Sequence, residues 1–288
     1  MRKAIVAGLA FGALLGPAAA ADLYVKAPPP PAPCIWCGFY IGVNAGYAWS
    51  EDNSVNTVGS LPFIFAGIAP ATGPAAVASA TGQIPGGNAN GFIGGGQVGY
   101  NFQYSNFVYG IEADIQGLSG KSSGTASNSV GIVGFPGTNV NTTLTATDSV
   151  SWLGTVRGRL GYTVTPSLLV YGTGGLAYGE AKSSTNIGQQ IVGPAAVGAN
   201  GPYGSFASIS STRTGWAAGA GAEWMITRSW TAKLEYLHYD LGSASYAGSM
   251  TNLATGVVPV GTPLYTVGTT SSVKFSGDIV RAGFNYKF

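Results

Sequence analysis

Val273-Lys274-Phe275-Ser276-Gly277-Asp278-Ile279-Val280-Arg281-Ala282-Gly283-Phe284-Asn285-Tyr286-Lys287-Phe288 closes the chain. Val280, Ala282, Phe284, Tyr286 and Phe288 fall on one parity; Arg281, Gly283, Asn285 and Lys287 fall on the other. Alternation of this period places the two sets on opposite faces of a β-strand. A strand that is apolar and aromatic outward and polar inward, ending on an aromatic residue, is what a closed outer-membrane barrel requires.

Composition agrees. Charged residues are 8% of the 288, where a soluble domain carries roughly a quarter, and 46 residues are glycine. Beyond residues 1–20 there is no apolar run of about 20 residues, which excludes helical spans. Without helices, a lipid-embedded backbone can satisfy its polar groups only in a closed barrel. A secreted Gly-rich β-sandwich would account for the glycine but not for the final strand.

Residues 1–20 carry Arg2 and Lys3, an apolar stretch from Ala4 to Leu15, and then Gly16, Pro17 and three alanines. This is the pattern of a secretory signal peptide, too short for a membrane helix. No cysteine follows the cleavage site, so a lipid-anchored amino terminus is not expected. Removing Arg2 and Lys3 from the 13 basic residues leaves 11 against 11 acids. That balance offers nothing to nucleic acid. Residues 21–37 read as a periplasmic leader, with five prolines in Ala27–Pro33 forming a stiff tether. The barrel is expected over 38–288.

Eight strands are expected, near 38–50, 91–103, 107–120, 148–163, 167–182, 212–227, 229–241 and 273–288. Short connections (104–106, 164–166 and around Arg228) alternate with long ones (51–90, 121–147, 183–211, 242–272), as in outer-membrane barrels, where the long loops face outside. Aromatic residues gather near strand ends, where interfacial girdles belong (Tyr47, Trp152, Tyr162, Trp224, Trp230). The fold class is therefore all-β: an eight-stranded antiparallel up-and-down transmembrane β-barrel. Further strands within 53–68 or 129–137 would enlarge it.

The inward parity collects Glu112, Asp114, Glu223 and Glu235 with Arg157, Arg159, Lys233 and Arg281. Four acids against four bases predict a lumen laced with ion pairs, since an unpaired buried charge is costly. Antiparallel register is expected to match Glu112 with Arg159, Asp114 with Arg157, and Glu223 with Lys233. A barrel of this size is just wide enough for side chains to fill it. A plugged lumen is favoured over a narrow ion path along the same charges.

Gly38-Phe39-Tyr40-Ile41-Gly42-Val43-Asn44-Ala45-Gly46-Tyr47, Gly99-Tyr100-Asn101-Phe102, Tyr109-Gly110-Ile111-Glu112-Ala113-Asp114 and Arg281-Ala282-Gly283-Phe284-Asn285-Tyr286 resemble the major surface-antigen outer-membrane proteins of alphaproteobacteria. That family groups with the opacity-protein and OmpA-like eight-stranded barrels. The resemblance implies an abundant envelope protein with an immunogenic surface and porin-like behaviour in some members. It brings no catalytic residues. It also implies that Phe284, Tyr286 and Phe288 resemble the signal read by the barrel-assembly machinery. No peptidoglycan-gripping domain follows Phe288, so wall anchoring is not expected.

Cys34-Ile35-Trp36-Cys37 admits a redox or metal role, or a structural disulfide; without a second C-x-x-C or a histidine pair, the disulfide is favoured and no metal is expected. Gly94-x-Gly96-x-x-Gly99 fits a dinucleotide fingerprint, but the strand continues through Tyr100 where a helix is needed. His238, the only histidine, shares an outward face with Asp240; an interfacial role is favoured over catalysis. Leu61-Pro62-Phe63-Ile64-Phe65 is an apolar loop segment suited to contact.

The function expected is an outer-membrane surface barrel contributing to envelope structure and contact. The alternatives are a low-conductance porin for small hydrophilic solutes and a loop-mediated receptor. No cofactor and no enzyme activity are expected. The expected partners are outer-membrane lipid, lipopolysaccharide and the assembly machinery, with the barrel a monomer or weak homo-oligomer.

Overall fold

A computed structural model of the chain describes residues 34–51, 54–64, 72–87, 89–194, 202–253 and 261–288. Residues 1–20, expected as a signal peptide, the proline run and Phe65 lie outside the described residues. Those from Cys34 to Phe288 form one compact unit. Cys34–Cys37, read in the sequence with the leader, thus packs with the barrel.

The described residues form one antiparallel sheet: β1 (Gly38–Ser50), β2 (Val55–Ile64), β3 (Gly82–Ile84), β4 (Gly91–Tyr104), β5 (Phe107–Leu118), β6 (Lys121–Gly131), β7 (Asn139–Thr165), β8 (Leu168–Val192), β9 (Tyr203–Met225), β10 (Trp230–Leu253) and β11 (Pro263–Lys287). Among the described residues a single helix, α1 (Thr72–Ala80), lies between β2 and β3. The strands β1-β4-β5-β7-β8-β9-β10-β11 follow one another, and β11 pairs back onto β1 to close the circuit. Closure leaves these strands no free edge, which is the condition for crossing lipid.

Outward positions carry the apolar residues of the alternation. Ile41, Val43, Ile111, Ile115, Leu160, Leu234 and Phe284 all stand exposed, a surface that water would not tolerate but a bilayer does. Two aromatic bands bound it. Phe107–Tyr162 and Trp230–Tyr286 rings touch at the short-turn end; Tyr47–Phe92 and Trp152–Tyr178 touch at the other.

The segments 121–147, 183–211 and 242–272, expected as long loops, are largely strand. β7, β8, β9, β10 and β11 run 27, 25, 23, 24 and 25 residues, while about ten suffice to cross. The excess rises as a wall above the belt. β2, from the 53–68 candidate, pairs with β11 at 265–272, and β6 pairs with β7 at 139–149. Both join this wall rather than the closed circuit. At Gly242 (φ +74°) β10 bends away, and its pairing with β9 stops at Asp240–Trp216. Arg213 on β9 bridges the seam by donating to the Leu241 and Ser243 carbonyls.

Helix α1 fills the top of the interior. Its sequence, Thr-Gly-Pro-Ala-Ala-Val-Ala-Ser-Ala, is alanine-rich, and Pro74 sits in the first turn where its missing N–H does no harm. The small side chains of Gly73, Ala75, Ala76, Ser79 and Ala80 are buried, packing against β2, β6, β7 and β11. Gln189 donates to the Ala76 carbonyl at 2.7 Å, and Asn128 donates at 3.0 Å to that of Ser79, one of the carbonyls a helix end leaves open. Leu61 and Ile64, expected as an exposed contact segment, are only partly exposed and pack on this core, whereas Phe63 does face outward.

Candidate functional site: the charged lumen

Alternation on β5, β7, β9, β10 and β11 turns Glu112, Asp114, Arg157, Arg159, Glu223, Lys233, Glu235 and Arg281 inward, and all eight are buried. Arg157 is the hub. Its Nη2 lies 2.7 Å from Glu112 Oε1 and 2.8 Å from Asp114 Oδ2, its Nη1 2.9 Å from Glu235 Oε1, and its Nε donates to Thr155. Arg281 meets Asp114 at 2.8 Å and Glu235 at 2.7 Å and donates to Gln116. Arg159 meets Glu223 at 2.6 Å and lies over the Tyr171 ring, 4.0 Å from its centre. Lys233 reaches Glu112 at 2.9 Å. Charges taken from water are tolerable only in such a satisfied mesh.

The expected β5–β7 register is corrected by two residues. Glu112 stands opposite Arg157, and Asp114 opposite Thr155. No tight turn joins these strands, since β6 intervenes, so turn geometry does not fix their offset. A shift of two keeps every side chain on its face. The expected partners still meet diagonally, Arg157 with Asp114 at 2.8 Å and Arg159 with Glu112 at 3.8 Å. Lys233 does stand opposite Glu223, yet their ion pairs are made elsewhere, with Glu112 and Arg159.

Several members were not singled out in the sequence. Tyr40 donates to Glu112 at 2.7 Å. Gly99 makes room for it: a Cβ there would fall 2.3 Å from the Tyr40 hydroxyl. Asn285 and Thr231 both donate to Glu223. Their shared inward parity was the available signal.

Trp36 was also missed. Cys34 and Cys37 are disulfide-bonded, and the tryptophan between them packs on Val108, Leu169 and Tyr171 with 2% of its surface exposed. Its backbone N–H donates to Gln103 at 2.9 Å and its indole to the Pro166 carbonyl at 3.2 Å. It closes the short-turn mouth. From mouth to mouth the interior holds an indole, a charged layer, and an apolar layer with α1.

Phe284 and Tyr286 point outward on β11, and Phe288, just past its end, is exposed and packs on Tyr286 and Phe39 at 5.0 and 5.6 Å between ring centres. His238 faces outward as expected, but its contact is Asp278, with Nδ1 to Oδ1 at 3.0 Å. Asp240 is engaged by Lys274 at 3.0 Å and by the Gly242 N–H.

The family model of the outer membrane protein beta-barrel domain matches residues 9–288. The chain is 36% identical over 304 residues to the 31 kDa outer-membrane immunogenic protein of Brucella melitensis biotype 1, with 100% of each covered. It is 36% identical over 155 residues to the 22 kDa outer membrane protein of Rhizobium leguminosarum bv. viciae, covering 52% of this chain and 54% of that one. Among solved structures, the outer membrane protein OprG from Pseudomonas aeruginosa aligns over 88% of this chain and 96% of its own at 12% identity. The TM-score of that alignment is 0.40. A closed circuit of strands with an apolar belt, matched along nearly its whole length, is an outer-membrane surface barrel, and the chain belongs to the outer membrane protein beta-barrel domain family.

Proposed function

We propose that this chain is a closed structural barrel of the outer membrane that presents an extended surface outside the cell and conducts no solutes. The observation that carries this reading is the filled interior: Trp36 at one mouth, the ion-pair layer in the middle and α1 at the other. A porin needs a continuous water path, and side chains occupy it here.

Short turns belong to the periplasmic side and long connections to the outside. On that orientation, the strand wall above the belt projects from the cell. This wall is the part that antibodies would reach, in keeping with the names of the immunogenic relatives. The girdle facing outward contacts lipid and lipopolysaccharide, and Phe284, Tyr286 and Phe288 serve as the face read by the assembly machinery. Residues 1–20 are removed on export, and the following prolines tether the barrel in the periplasm. The reading is non-enzymatic, without cofactor or nucleic-acid partner, and monomeric or weakly self-associating.

Two other readings have support. The charged layer favours a low-conductance porin for small hydrophilic solutes if its pairs rearrange. Val133 and Phe135 in the turn between β6 and β7, and Phe206 on β9, stand exposed and favour a receptor. Swelling of proteoliposomes in small sugars tests the conclusion. Swelling no faster than empty liposomes is expected, and sugar-size-dependent swelling would replace the conclusion with the porin.

A further inference from the structure

On the outer wall of the barrel, Glu51, His238 and Asp278 bring one donor atom each to within 4.8 Å of one another. The backbone dictates the meeting. Asp278 stands opposite His238 in the β10–β11 pairing and opposite Trp49 in the β1–β11 pairing. Glu51 lies two residues beyond Trp49, on the same parity, and its N–H donates to the Ser276 carbonyl at 3.2 Å, which continues that pairing past the end of β1. Two neighbouring strands and the residue just past the end of a third therefore aim an imidazole and two carboxylates at one point.

The site is held and open. Tyr236 donates to Asp278 Oδ1 at 2.6 Å, and the Trp216 ring lies 5.2 Å from the imidazole. The His238 and Asp278 side chains keep 23% and 11% of their surface exposed, and Glu51 is exposed. Among the described residues no lysine or arginine pairs with Glu51 or Asp278. The nearby Lys274 is taken by Asp240. Two carboxylates thus lie beside an imidazole without a cationic partner.

We propose that Glu51, His238 and Asp278 form a site for a divalent first-row transition-metal ion, of which zinc is the representative. Zinc ligation at about 2.0–2.2 Å brings donor atoms to no more than about 4.4 Å apart, so side chains already within 4.8 Å of one another need close by only a few tenths of an ångström, and three protein donors leave a position for a ligand from outside. The imidazole nitrogen selects this class over calcium or magnesium, which take oxygen. Ligation through Nδ1 leaves the ring proton on Nε2, and the ion takes the place of the hydrogen bond between Nδ1 and Asp278.

His238 is the only histidine, so its ring nitrogens report on this site alone. Untagged protein, shown to be folded in detergent by heat-modifiable mobility, would be titrated with zinc chloride by calorimetry and by ¹⁵N spectroscopy of the imidazole. One ion per barrel is expected, with a shift of the Nδ1 resonance. His238→Ala and Asp278→Asn should each weaken binding by at least the roughly 10–100-fold that loss of a supporting group costs. Asp240→Asn, on the same face but held by Lys274, should leave affinity unchanged. Absence of binding by the parent protein, or affinity that survives His238→Ala, would overturn the assignment.

Discussion

Lys233 and Glu112 meet at 2.9 Å although their strands, β10 and β5, stand four places apart in a circuit of eight. They are diametrically opposed, so this ion pair spans the whole lumen. A spanning pair leaves no room for a central water column at its level. It also ties the register of two distant strands to one contact.

Removing one end of that bridge should be costly. Lys233→Met leaves Glu112 with a weakened partner set in a buried layer. A loss of about 3–5 kcal/mol is expected, the range for breaking a buried pair from one side. Urea unfolding in detergent micelles checks it. The double variant Lys233→Met, Glu112→Gln should recover part of the loss, because no unpaired charge then remains.

Trp36→Ala removes the indole at the short-turn mouth and leaves a void against Val108, Leu169 and Tyr171. The expected destabilisation is about 3–5 kcal/mol, as for other buried aromatic truncations. The same substitution should hydrate that mouth, read as accessibility of an engineered Val108→Cys to a water-soluble thiol reagent.

Gly99→Ala acts through its neighbour. The added methyl would meet the Tyr40 hydroxyl, so Tyr40 must leave its place on Glu112. A cost of about 1–3 kcal/mol is expected from this overpacking. Gly99→Ala combined with Tyr40→Phe should cost less than the two single effects together, since the Tyr40–Glu112 hydrogen bond that each disrupts is lost only once.

Asp148 gives a pH signature. It lies on β7 four residues beyond Trp152, above the membrane belt, beside a cavity of about 20 Å³, and Oδ1 has no hydrogen-bond partner. Burial raises its pKa to about 6. An acid raised on folding contributes stability that is complete below its unfolded pKa, near 4, and lost as pH rises through 6. The loss between pH 4 and 7 is on the order of 1–2 kcal/mol after allowance for partial solvent screening. Asp148→Asn should flatten the stability profile across that window, measured by thermal melts at fixed ionic strength.

Parity made the membrane half of this molecule legible. Where one face meets lipid and the other a charged lumen, as at Val156-Arg157-Gly158-Arg159-Leu160, the alternation of period two is sharp. The eight charged residues could be gathered from sequence because barrels sort side chains by parity alone. The upper wall was illegible for the converse reason. In Thr142-Thr143-Leu144-Thr145-Ala146-Thr147 the inward face mixes Thr142 with Leu144 and Ala146 against threonines on the other, so the contrast between faces is low, and only the threonine content hinted at extension. Helix α1 is too short and too uniformly small to show a helical stripe. The β5–β7 register needed the structure because no tight turn fixed it. The cluster of Glu51, His238 and Asp278 needed it too, since its members, on β10, on β11 and just past the end of β1, lie far apart in sequence.

The central claim is that the interior is closed, and single-channel recording tests it most directly. Refolded protein, shown to be native by heat-modifiable mobility, would be placed in a planar bilayer beside the Trp36→Ala and Lys233→Met variants. The account predicts a silent bilayer for the parent protein under moderate voltage. Reproducible, ion-selective steps from the parent protein that shift when Glu112 or Arg157 is neutralised would contradict it and make the charged layer a conduction path.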